Sequence, residues 1–514
     1  MTKYRTPDPE RRARGGEPAG APRGRRWRRP AGVRAVPVMA VTGLLLAAGC
    51  ASGDTDTTSA STLPAAANHD VAVTLTDDRL VAEIAVTGLD QPSSLAVLDD
   101  AMLVTEKATG RVQVVRDDVV VGEAIDLAVN SFDERGLLGI AVHPTFPAEP
   151  YVYLHWTWRG DGDGDDRLLG DDSDAAHDVP TLGNRVDRFR WHDDTLTFDR
   201  NIVEFPSATL ESDTSDRVRG NHDAGPLGFG PDGKLYTMMG DQNLRGQLQN
   251  IADGAPPDDA HLAGVILRLD DDGAVPEDNP FFETGATIGG EVGENIQMIY
   301  AYGVRNSFGL AFEPRSGALW ISENGDDSYD EINVIDAGAN SGWIQVQGPT
   351  SRVGDYRDRE VESDDGLDVP SFPPDALAGS ADDALARLHA MPGSAFAEPV
   401  LSYVHPPAVT AIALVPDAHL GGSDPGSLWV GTVLTDALLR YPLGADGRTL
   451  DLNGPLADGI DDNGSKGDLG ESAGYVVGTG FGVITDIDLA PDGALYVVSL
   501  DRGAVIRLTD AKER

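Results

Sequence analysis

The sequence predicts an all-β fold, a six-bladed β-propeller preceded by a signal peptide and a flexible tether. Gly and Pro are plentiful, with 60 and 33 copies, and a turn-rich chain suits many short strands better than long helices. A strand–turn–strand pattern also recurs six times, and each copy is followed by a second apolar-alternating run. The length of 514 residues is compatible with one propeller, since all-β folds often run long as a single unit.

A signal peptide is predicted over residues 1–49. Residues 1–35 hold eleven Lys and Arg against three acids, and the apolar stretch that follows is too short to span a bilayer. The string LLLAAGC ends at Cys50, the single cysteine of the chain, and is similar to a lipobox in which Cys50 is lipidated. This predicts an exported bacterial lipoprotein, anchored by its lipid on the outer face of the cytoplasmic membrane. An ordinary secretory signal cleaved nearby is the alternative.

A tether is predicted over residues 50–70, because Ser, Thr, Ala and Asp dominate there and no apolar face can form. The propeller is predicted over residues 71–514. Without the basic residues 1–35 the chain carries a net charge of −52, against −44 for the whole. Such a surface repels nucleic acid and anionic lipid, so neither is expected as a partner. Salt adaptation, cation binding and simple solvation of a secreted surface all remain explanations of this acidity.

The six copies share an apolar residue, a short turn often written PDG, and a β-rich run with Leu before an aromatic residue or Val. They are LAVLDDAMLV (95–104), AVHPTFPAEPYVYL (141–154), FGPDGKLYTM (229–238), FEPRSGALWI (312–321), LVPDAHLGGSDPGSLWV (414–430) and LAPDGALYVV (489–498). The following runs are GRVQVV (110–115), NRVDRFRW (184–191), GVILRLD (264–270), DEINVID (330–336), DALLRYPL (436–443) and GAVIRLTD (503–510). Each copy predicts the inner strands of one blade, and radial packing leaves only short sheet edges.

Long insertions separate several copies. The most acidic one spaces Asp161, Asp163 and Asp165 like a calcium loop, although Asp166 stands where an EF-hand needs Gly. A solvated loop is the alternative there. The stretch 350–395 is predicted to cover one mouth of the propeller, and residues 460–472 are predicted to form another exposed loop.

Polar residues at strand ends are where a propeller places a site, because the loops of all blades converge on one mouth. In one such segment, Asn221, His222 and Asp223 precede a strand, and Asp241 and Gln242 follow its partner. The neutral imidazole of His222 can accept a proton near physiological pH. A structural His that bonds a neighbouring loop is the alternative.

Two further segments are charged. Arg305 and Asn306 precede a strand in an acidic chain, which suits either an anion clamp or a buried ion pair. An acidic turn follows and holds Glu323, Asn324, Asp326, Asp327, Asp330 and Glu331. Calcium fits this turn better than zinc, because no His or Cys lies nearby. A solvated acidic turn is the alternative.

These segments, in this order, resemble the glucose and sorbosone dehydrogenase family of six-bladed propellers, from about residue 80 to the C-terminus. The matching strings are GLDQPSSLAVL (88–98), ERGLLGIAVHPTF (134–146), NHDAGPLGFGPDGKLY (221–236), YGVRNSFGLAF (302–312), SENGDDSYDEINVIDAGANSGW (322–343) and TDIDLAPDGALYVVS (485–499). The combination of the GLLG…HP, NH…GPDGKLY and SENG…DEIN…GW strings is specific, whereas any one alone is not.

The resemblance implies an oxidoreductase that oxidises a sugar or polyol hydroxyl with pyrroloquinoline quinone (PQQ) and calcium, and then reduces an unidentified acceptor. It implies that His222 is the general base and that Arg305 steadies the reduced quinone oxygen. The residues assigned to cofactor contact are Asn221, Asn306, Glu134, Asp241 and Gln242. The residues assigned to calcium are Asn324, the backbone at Gly325, Asp330 and Glu331.

The chain departs from the family pattern at four positions. It has Thr435, Val483 and Thr485 where basic residues are expected, and Glu134 where Gln is expected. PQQ carries carboxylates, so an acidic protein needs local cations to hold it. Calcium, Arg305 and a loop lysine, Lys466, are the candidates.

Two other function classes stay open. A non-catalytic, calcium-stabilised propeller would bind a glycan or a protein at the same mouth, since a fold alone does not fix function. A hydrolase or lactonase with a central calcium would need acids from several blades, such as Asp241, Asp330 and Asp486. Loss of the basic anchors favours the binding protein, whereas retention of His222 and Arg305 favours the oxidoreductase.

Overall fold

The computed structural model describes residues 72–131, 133–159, 183–205, 222–242, 262–362, 372–417, 419–422 and 425–511. The predicted signal peptide, Cys50, the tether, the acidic loop at 161–166 and Asn221 lie outside the described residues. No helix in the described part of the chain has the length and apolar character that crossing a membrane requires.

The described strands form six sheets, which follow one another along the chain. The first contains β3 (Pro92–Val97), β4 (Met102–Glu106), β5 (Arg111–Arg116) and β6 (Val119–Asp126), and the second β7 (Leu137–Val142), β8 (Tyr151–Trp158), β9 (Gly183–His192) and β10 (Thr195–Phe205). The third contains β11 (Leu227–Phe229), β12 (Leu235–Met239), β13 (Val265–Leu269), β14 (Ile299–Tyr302), β18 (Ala339–Asn340) and β19 (Ala395–Phe396).

The other three sheets use the C-terminal strands and the first two strands of the described chain. The fourth contains β15 (Gly309–Phe312), β16 (Leu319–Glu323), β17 (Asp330–Ile335), β20 (Leu401–Tyr403) and β24 (Ile460–Asp461). The fifth contains β21 (Val409–Pro416), β22 (Gly426–Thr432), β23 (Ala437–Pro442), β25 (Val476–Thr479) and β1 (Thr74–Leu75). The sixth contains β26 (Ile484–Leu489), β27 (Leu495–Ser499), β28 (Ala504–Asp510) and β2 (Leu80–Thr87).

The first strands of the sheets pack side by side in a closed series. The neighbours are β3 and β7, β7 and β11, β11 and β15, β15 and β21, β21 and β26, and β26 and β3. Strand β2 closes the series because it pairs antiparallel with β28, so the two ends of the described chain share one sheet. The all-β propeller predicted from the sequence is confirmed.

The six sequence copies coincide with the inner strands of the six sheets. Each copy covers the turn from the first strand to the second, and each following run is the third strand. Apolar side chains fill the space between neighbouring sheets. Leu103 of the first sheet and Trp156 of the second share one cluster, and Trp429 of the fifth and Leu495 of the sixth share another. Each such fully buried side chain contributes about 1.5–3 kcal/mol by leaving water.

The described parts of the insertions contain four α-helices: α1 (Phe282–Ile288), α2 (Gly290–Met298), α3 (Val353–Glu362) and α4 (Ala381–Arg387). Helix α3 belongs to the stretch predicted to cover a mouth. Its Glu360 accepts hydrogen bonds from Ser328 Oγ at 2.6 Å and from the Asp327 main-chain N–H at 3.2 Å, so α3 packs on the acidic turn. The loop at 460–472 is less exposed than predicted, because Asp461 is buried and accepts the N–H groups of Glu471 and Ser472.

Candidate functional site

A cavity lies on the axis of the propeller. It is lined by residues on or beside the first strand of every sheet: Ser93, Ser94, Lys107, Glu134, Leu138, Ala224, Pro226, Phe308, Thr410, Thr485, Asp486 and Leu500. Because the first strands surround the axis, residues far apart in sequence meet at this cavity. His222 lies five residues before β11, beside the wall formed by Ala224 and Pro226.

His222 and Asp241 form a buried pair. Asp241 Oδ1 is hydrogen-bonded to His222 Nδ1, and Asp241 Oδ2 accepts the Trp343 indole N–H at 2.8 Å. An ionised carboxylate only accepts hydrogen bonds, so it holds the imidazole proton on Nδ1 and leaves Nε2 as the proton acceptor. A carboxylate that orients an imidazole in this way is an arrangement that a general base can use. Asp241, assigned to cofactor contact from the sequence, thus contacts His222 and Trp343.

The backbone around this pair is constrained. His222, Ala224 and Gln242 adopt positive φ angles of 61°, 56° and 50°, a conformation that is costly for residues other than Gly. A Cβ atom on Gly240 would lie 2.5 Å from the His222 carbonyl oxygen and 2.8 Å from that of Arg305. Only glycine therefore allows the His222 segment and the Arg305 segment to approach each other this closely.

Glu134 joins the two segments. Its Oε2 accepts the main-chain N–H of His222 at 2.6 Å and the Asn306 side-chain amide at 3.1 Å. Burial raises the pKa of Glu134 to about 7, and a positive charge on His222 opposes that increase. The site thus holds a buried carboxyl group whose pKa is raised, and this group accepts the main-chain N–H of His222.

Arg305 lies buried between the His222 segment and the acidic turn. It donates to the Asn324 carbonyl at 3.1 Å and to Asp326 Oδ1 at 2.9 Å, and its guanidinium lies 5.4 Å from the centre of the Trp343 ring. Burial disfavours its charge, but Asp326 and Asp241 outweigh that effect and raise the pKa of Arg305. Its buried Nε has no hydrogen-bond partner among the described residues, so one donor is left for an oxyanion.

The predicted calcium ligands of the acidic turn lie on two different faces of the fourth sheet. Asp330 and Glu331 are successive residues of β17 and therefore point to opposite sides of the sheet. Asp330 accepts the Gly325 and Val409 N–H groups at 3.0 and 2.9 Å, whereas Glu331 accepts the Gly348 N–H. The Asn324 side-chain oxygen is buried without a hydrogen-bond partner in the described chain. This oxygen and the main-chain carbonyls of the turn are donors that suit calcium.

Glu331 faces another buried carboxyl group. It lies directly opposite Glu323 across β16 and β17, and Asn333 donates to both, at 2.8 and 3.1 Å. Burial raises the pKa of Glu323 to about 7 and, together with the charge of Glu323, raises that of Glu331. Among the described residues, the group of three acidic or His side chains close enough to share a metal is elsewhere, at His143, Glu149 and Asp271.

Gln242 and Asp223 lie behind His222. Gln242 Nε2 donates to Asp223 Oδ1 at 3.2 Å, and Asn184 of β9 donates to the same oxygen at 2.6 Å. Burial raises the pKa of Asp223. Both residues therefore support the strand end from which His222 projects.

Sequence reasoning did not single out Trp343 or Lys107. Trp343 closes the GANSGW string, but nothing in the spacing shows that its indole reaches Asp241, more than a hundred residues earlier. Lys107 follows β4 in a string that reads as an ordinary strand end. Its position on the axial cavity is evident only once the sheets are assembled.

Comparison with known proteins identifies the family. The family model of glucose and sorbosone dehydrogenases matches residues 89–379, more than half of the chain. The chain belongs to the glucose and sorbosone dehydrogenase family. Quinoprotein glucose dehydrogenase B of Acinetobacter calcoaceticus is 31% identical over 283 residues, which cover 52% of this chain and 52% of that protein. Aldose sugar dehydrogenase of Escherichia coli is 31% identical over 211 residues, covering 41% and 46%.

A solved structure of a similar protein gives the same fold over a longer stretch. The oxidoreductase (glucose dehydrogenase) of Thermus thermophilus is 27% identical, covers 84% of this chain and 99% of its own, and superimposes with a TM-score of 0.55. The chain spans about half the length of the curated sugar dehydrogenases it matches.

The positions where a glucose and sorbosone dehydrogenase is expected to have basic anchors carry threonine and valine here. Thr485 lines the axial cavity and donates to the Pro92 carbonyl at 3.2 Å, and Thr435 is bonded to Thr432 at 2.6 Å. Lys466 forms an ion pair with Asp327 at 3.0 Å, so its loop does reach the acidic turn. Thr435 and Thr485 therefore offer no positive charge to a ligand.

Proposed function

We propose that this protein oxidises a hydroxyl group of an aldose or related polyol, with PQQ as hydride acceptor and His222 as general base. The observation that carries the proposal is the buried His222–Asp241 pair beside the axial cavity. Membership of the glucose and sorbosone dehydrogenase family supports the same reaction class.

The proton is handled by residues of this chain. Oxidation of a hemiacetal carbon removes a hydride from carbon and a proton from the hydroxyl oxygen. His222 Nε2 accepts that proton, and the negative charge of Asp241 stabilises the imidazolium that results. The Trp343 indole keeps Asp241 oriented, so the base needs little reorganisation when substrate enters.

The donor set fits a quinone and a calcium ion at one end of the site. When bound, PQQ supplies an ortho-quinone that takes up the two electrons of the hydride. Arg305 has a buried N–H without a hydrogen-bond partner in the described chain, which suits an oxygen that gains negative charge. The side-chain oxygen of Asn324 is also buried without a hydrogen-bond partner in the described chain, which suits a cation. Glu134 and Asn306 would line the space between them and the base.

The test is a calorimetric titration of the calcium-loaded protein with PQQ, followed by dye-linked oxidation of aldoses. The His222→Gln variant should bind PQQ within about threefold of the wild type but lose about 10²- to 10⁴-fold in kcat, the usual contribution of a general base. The His192→Gln variant is the matched control, because the His192 side chain is exposed and does not line the cavity. Absence of PQQ binding at high micromolar concentration in the wild type would refute the proposal and favour a non-catalytic glycan- or protein-binding propeller.

We also propose that the protein is exported and lipidated at Cys50, on the strength of the LLLAAGC string. A wild-type protein expressed with its own N-terminus should partition into the detergent phase of a Triton X-114 extract. The Cys50→Ala variant should remain in the aqueous phase or keep its signal peptide. Equal partitioning of the two would contradict lipidation.

A further inference from the structure

Lys107 is a buried lysine on the axial cavity. It follows β4, is 6% exposed, and lines the cavity together with Glu134 and Thr485. Burying an ammonium group is costly unless it is paired or serves a ligand. Lys107 is also the one basic residue among the described residues that line this cavity.

Within the described ranges of the chain, the ammonium group has two hydrogen-bond acceptors, which leaves one of its donors uncommitted. Nζ donates to the main-chain carbonyls of Ser131 at 3.2 Å and Asp133 at 2.8 Å, and an ammonium has three N–H groups. Both acceptors are neutral, so neither cancels the charge by direct contact. Burial lowers the pKa of Lys107 to about 8, while the carboxyl groups of Asp133 and Glu134 oppose that decrease. The neighbouring carboxyl groups thus favour the charged form, and the group still has hydrogen-bonding capacity.

The chain holds this lysine in place. Gly136, at φ 141°, packs against Lys107 so closely that a Cβ atom there would collide with the lysine carbonyl and lie 2.8 Å from its Cγ. The Lys107 carbonyl accepts the Leu137 N–H at 3.0 Å, and its own N–H donates to the Gln91 carbonyl at 2.9 Å. A preorganised ammonium loses little entropy when it binds an anion.

We propose that Lys107 forms an anion subsite of the axial cavity, in which its third N–H binds a carboxylate of the ligand. The subsite rests on the proposed function, and its carboxylate is then one carried by PQQ. Lys107 would supply from the first sheet the charge that Thr435 and Thr485 do not supply from the fifth and sixth. The same chemistry would bind the carboxylate of an acidic sugar, so the experiment must separate the two sources.

The test compares PQQ binding by wild type, Lys107→Met and Lys107→Arg in calorimetric titrations with calcium present. Removing one buried charge-assisted hydrogen bond should weaken PQQ binding about 10- to 100-fold in Lys107→Met. Lys107→Arg keeps the charge and the donors, so it should stay within about threefold of the wild type. If the wild type binds PQQ and Lys107→Met binds it equally tightly, the subsite is refuted. The proposed function is unaffected by that result.

Two further measurements keep the result interpretable. Lys107→Met leaves two carbonyls without their donor, so its thermal unfolding and circular dichroism must first match the wild type. Thr485→Lys, added to Lys107→Met, returns a cation to the cavity wall from the neighbouring sixth sheet and should recover part of the PQQ affinity, which a merely structural role for Lys107 would not produce. Failure of this rescue, with both variants folded, would count against the subsite.

The source of the carboxylate is separated by titration with glucuronate and glucose. If the wild type does not bind PQQ, the proposed function fails. The anion subsite then stands only if glucuronate binds more tightly than glucose and loses that advantage in Lys107→Met. If neither PQQ nor glucuronate depends on Lys107, the subsite is refuted.

Discussion

Glu134 and His222 lie in the loops before different sheets of the propeller yet share a hydrogen bond, in which Glu134 Oε2 accepts the His222 main-chain N–H at 2.6 Å. The same oxygen accepts the Asn306 amide. A single carboxyl group therefore links the segment that carries His222 to the segment that carries Arg305. Since the family resemblance calls for Gln at this position, the site of this chain has an additional titratable group.

Glu134 should make folding stability depend on pH. Burial raises its pKa from the ordinary 4.5 to about 7, so the folded state favours the protonated form. The folding stability that protonated Glu134 contributes is fully present below pH 4.5. It is lost as the pH rises to about 7 and the group ionises. Glu134→Gln should therefore unfold like the wild type in acid and be more stable by roughly 3 kcal/mol above about pH 7. Urea denaturation at pH ~4 and at pH ~8 measures the unfolding free energy of both proteins. If Glu134→Gln differs from the wild type by the same amount at both pH values, the prediction is wrong.

Asp241 should act by orienting His222. In Asp241→Asn the amide can present its N–H to Nδ1, which places the imidazole proton on Nε2 and blocks proton acceptance. The kcat for aldose oxidation should fall about 10²- to 10⁴-fold with little change in PQQ affinity. The pH profile of the residual activity should also lose its dependence on the His. Asp193→Asn is the matched control, because its side chain is 86% exposed. A fall in PQQ affinity equal to the fall in kcat would point to a cofactor contact instead.

Gly240 should be irreplaceable for steric reasons. In Gly240→Ala the new methyl group meets two main-chain carbonyls, which cannot move aside as a flexible side chain can. The expected cost in unfolding free energy is about 1–3 kcal/mol, and kcat should fall because the base shifts relative to Arg305. Gly467→Ala is the control, since no heavy atom lies within 4 Å of its added Cβ. Crystals of Gly240→Ala with an unchanged His222 position and full activity would contradict this account.

Calcium should bind through oxygen atoms of the acidic turn. Asn324 has a buried side-chain oxygen that is not hydrogen-bonded in the described chain, and Asn324→Leu removes it without adding charge. Calcium should raise the Tm of the chelator-treated wild type by several degrees, and this increase should shrink in Asn324→Leu. Asn453→Leu, at an exposed position, is the comparison substitution. If calcium raises the Tm of Asn324→Leu and of Asn453→Leu by the same amount, the ion binds elsewhere.

Local patterns predicted the strands well because a strand is fixed by neighbours in sequence. Period-two alternation and PDG-like turns mark the inner strands of every sheet, and these are the strands that the structure contains. Helix α3 was not predicted, because its residues pack on the acidic turn rather than on a repeating strand. Thus α3 is held by Tyr356 and Glu360, whose partners lie in the acidic turn and in the chain just before the helix.

The sequence by itself determined the repeat, the all-β propeller and the three polar segments from which the site is built, since each depends on residues a few positions apart. The tertiary structure alone decided which of those residues meet. It placed Trp343 on Asp241, Glu134 on His222 and Lys107 on the axial cavity. The physical reason is that closure of the sheets around an axis brings distant strand ends together, and no local pattern encodes the distance between side chains of different sheets.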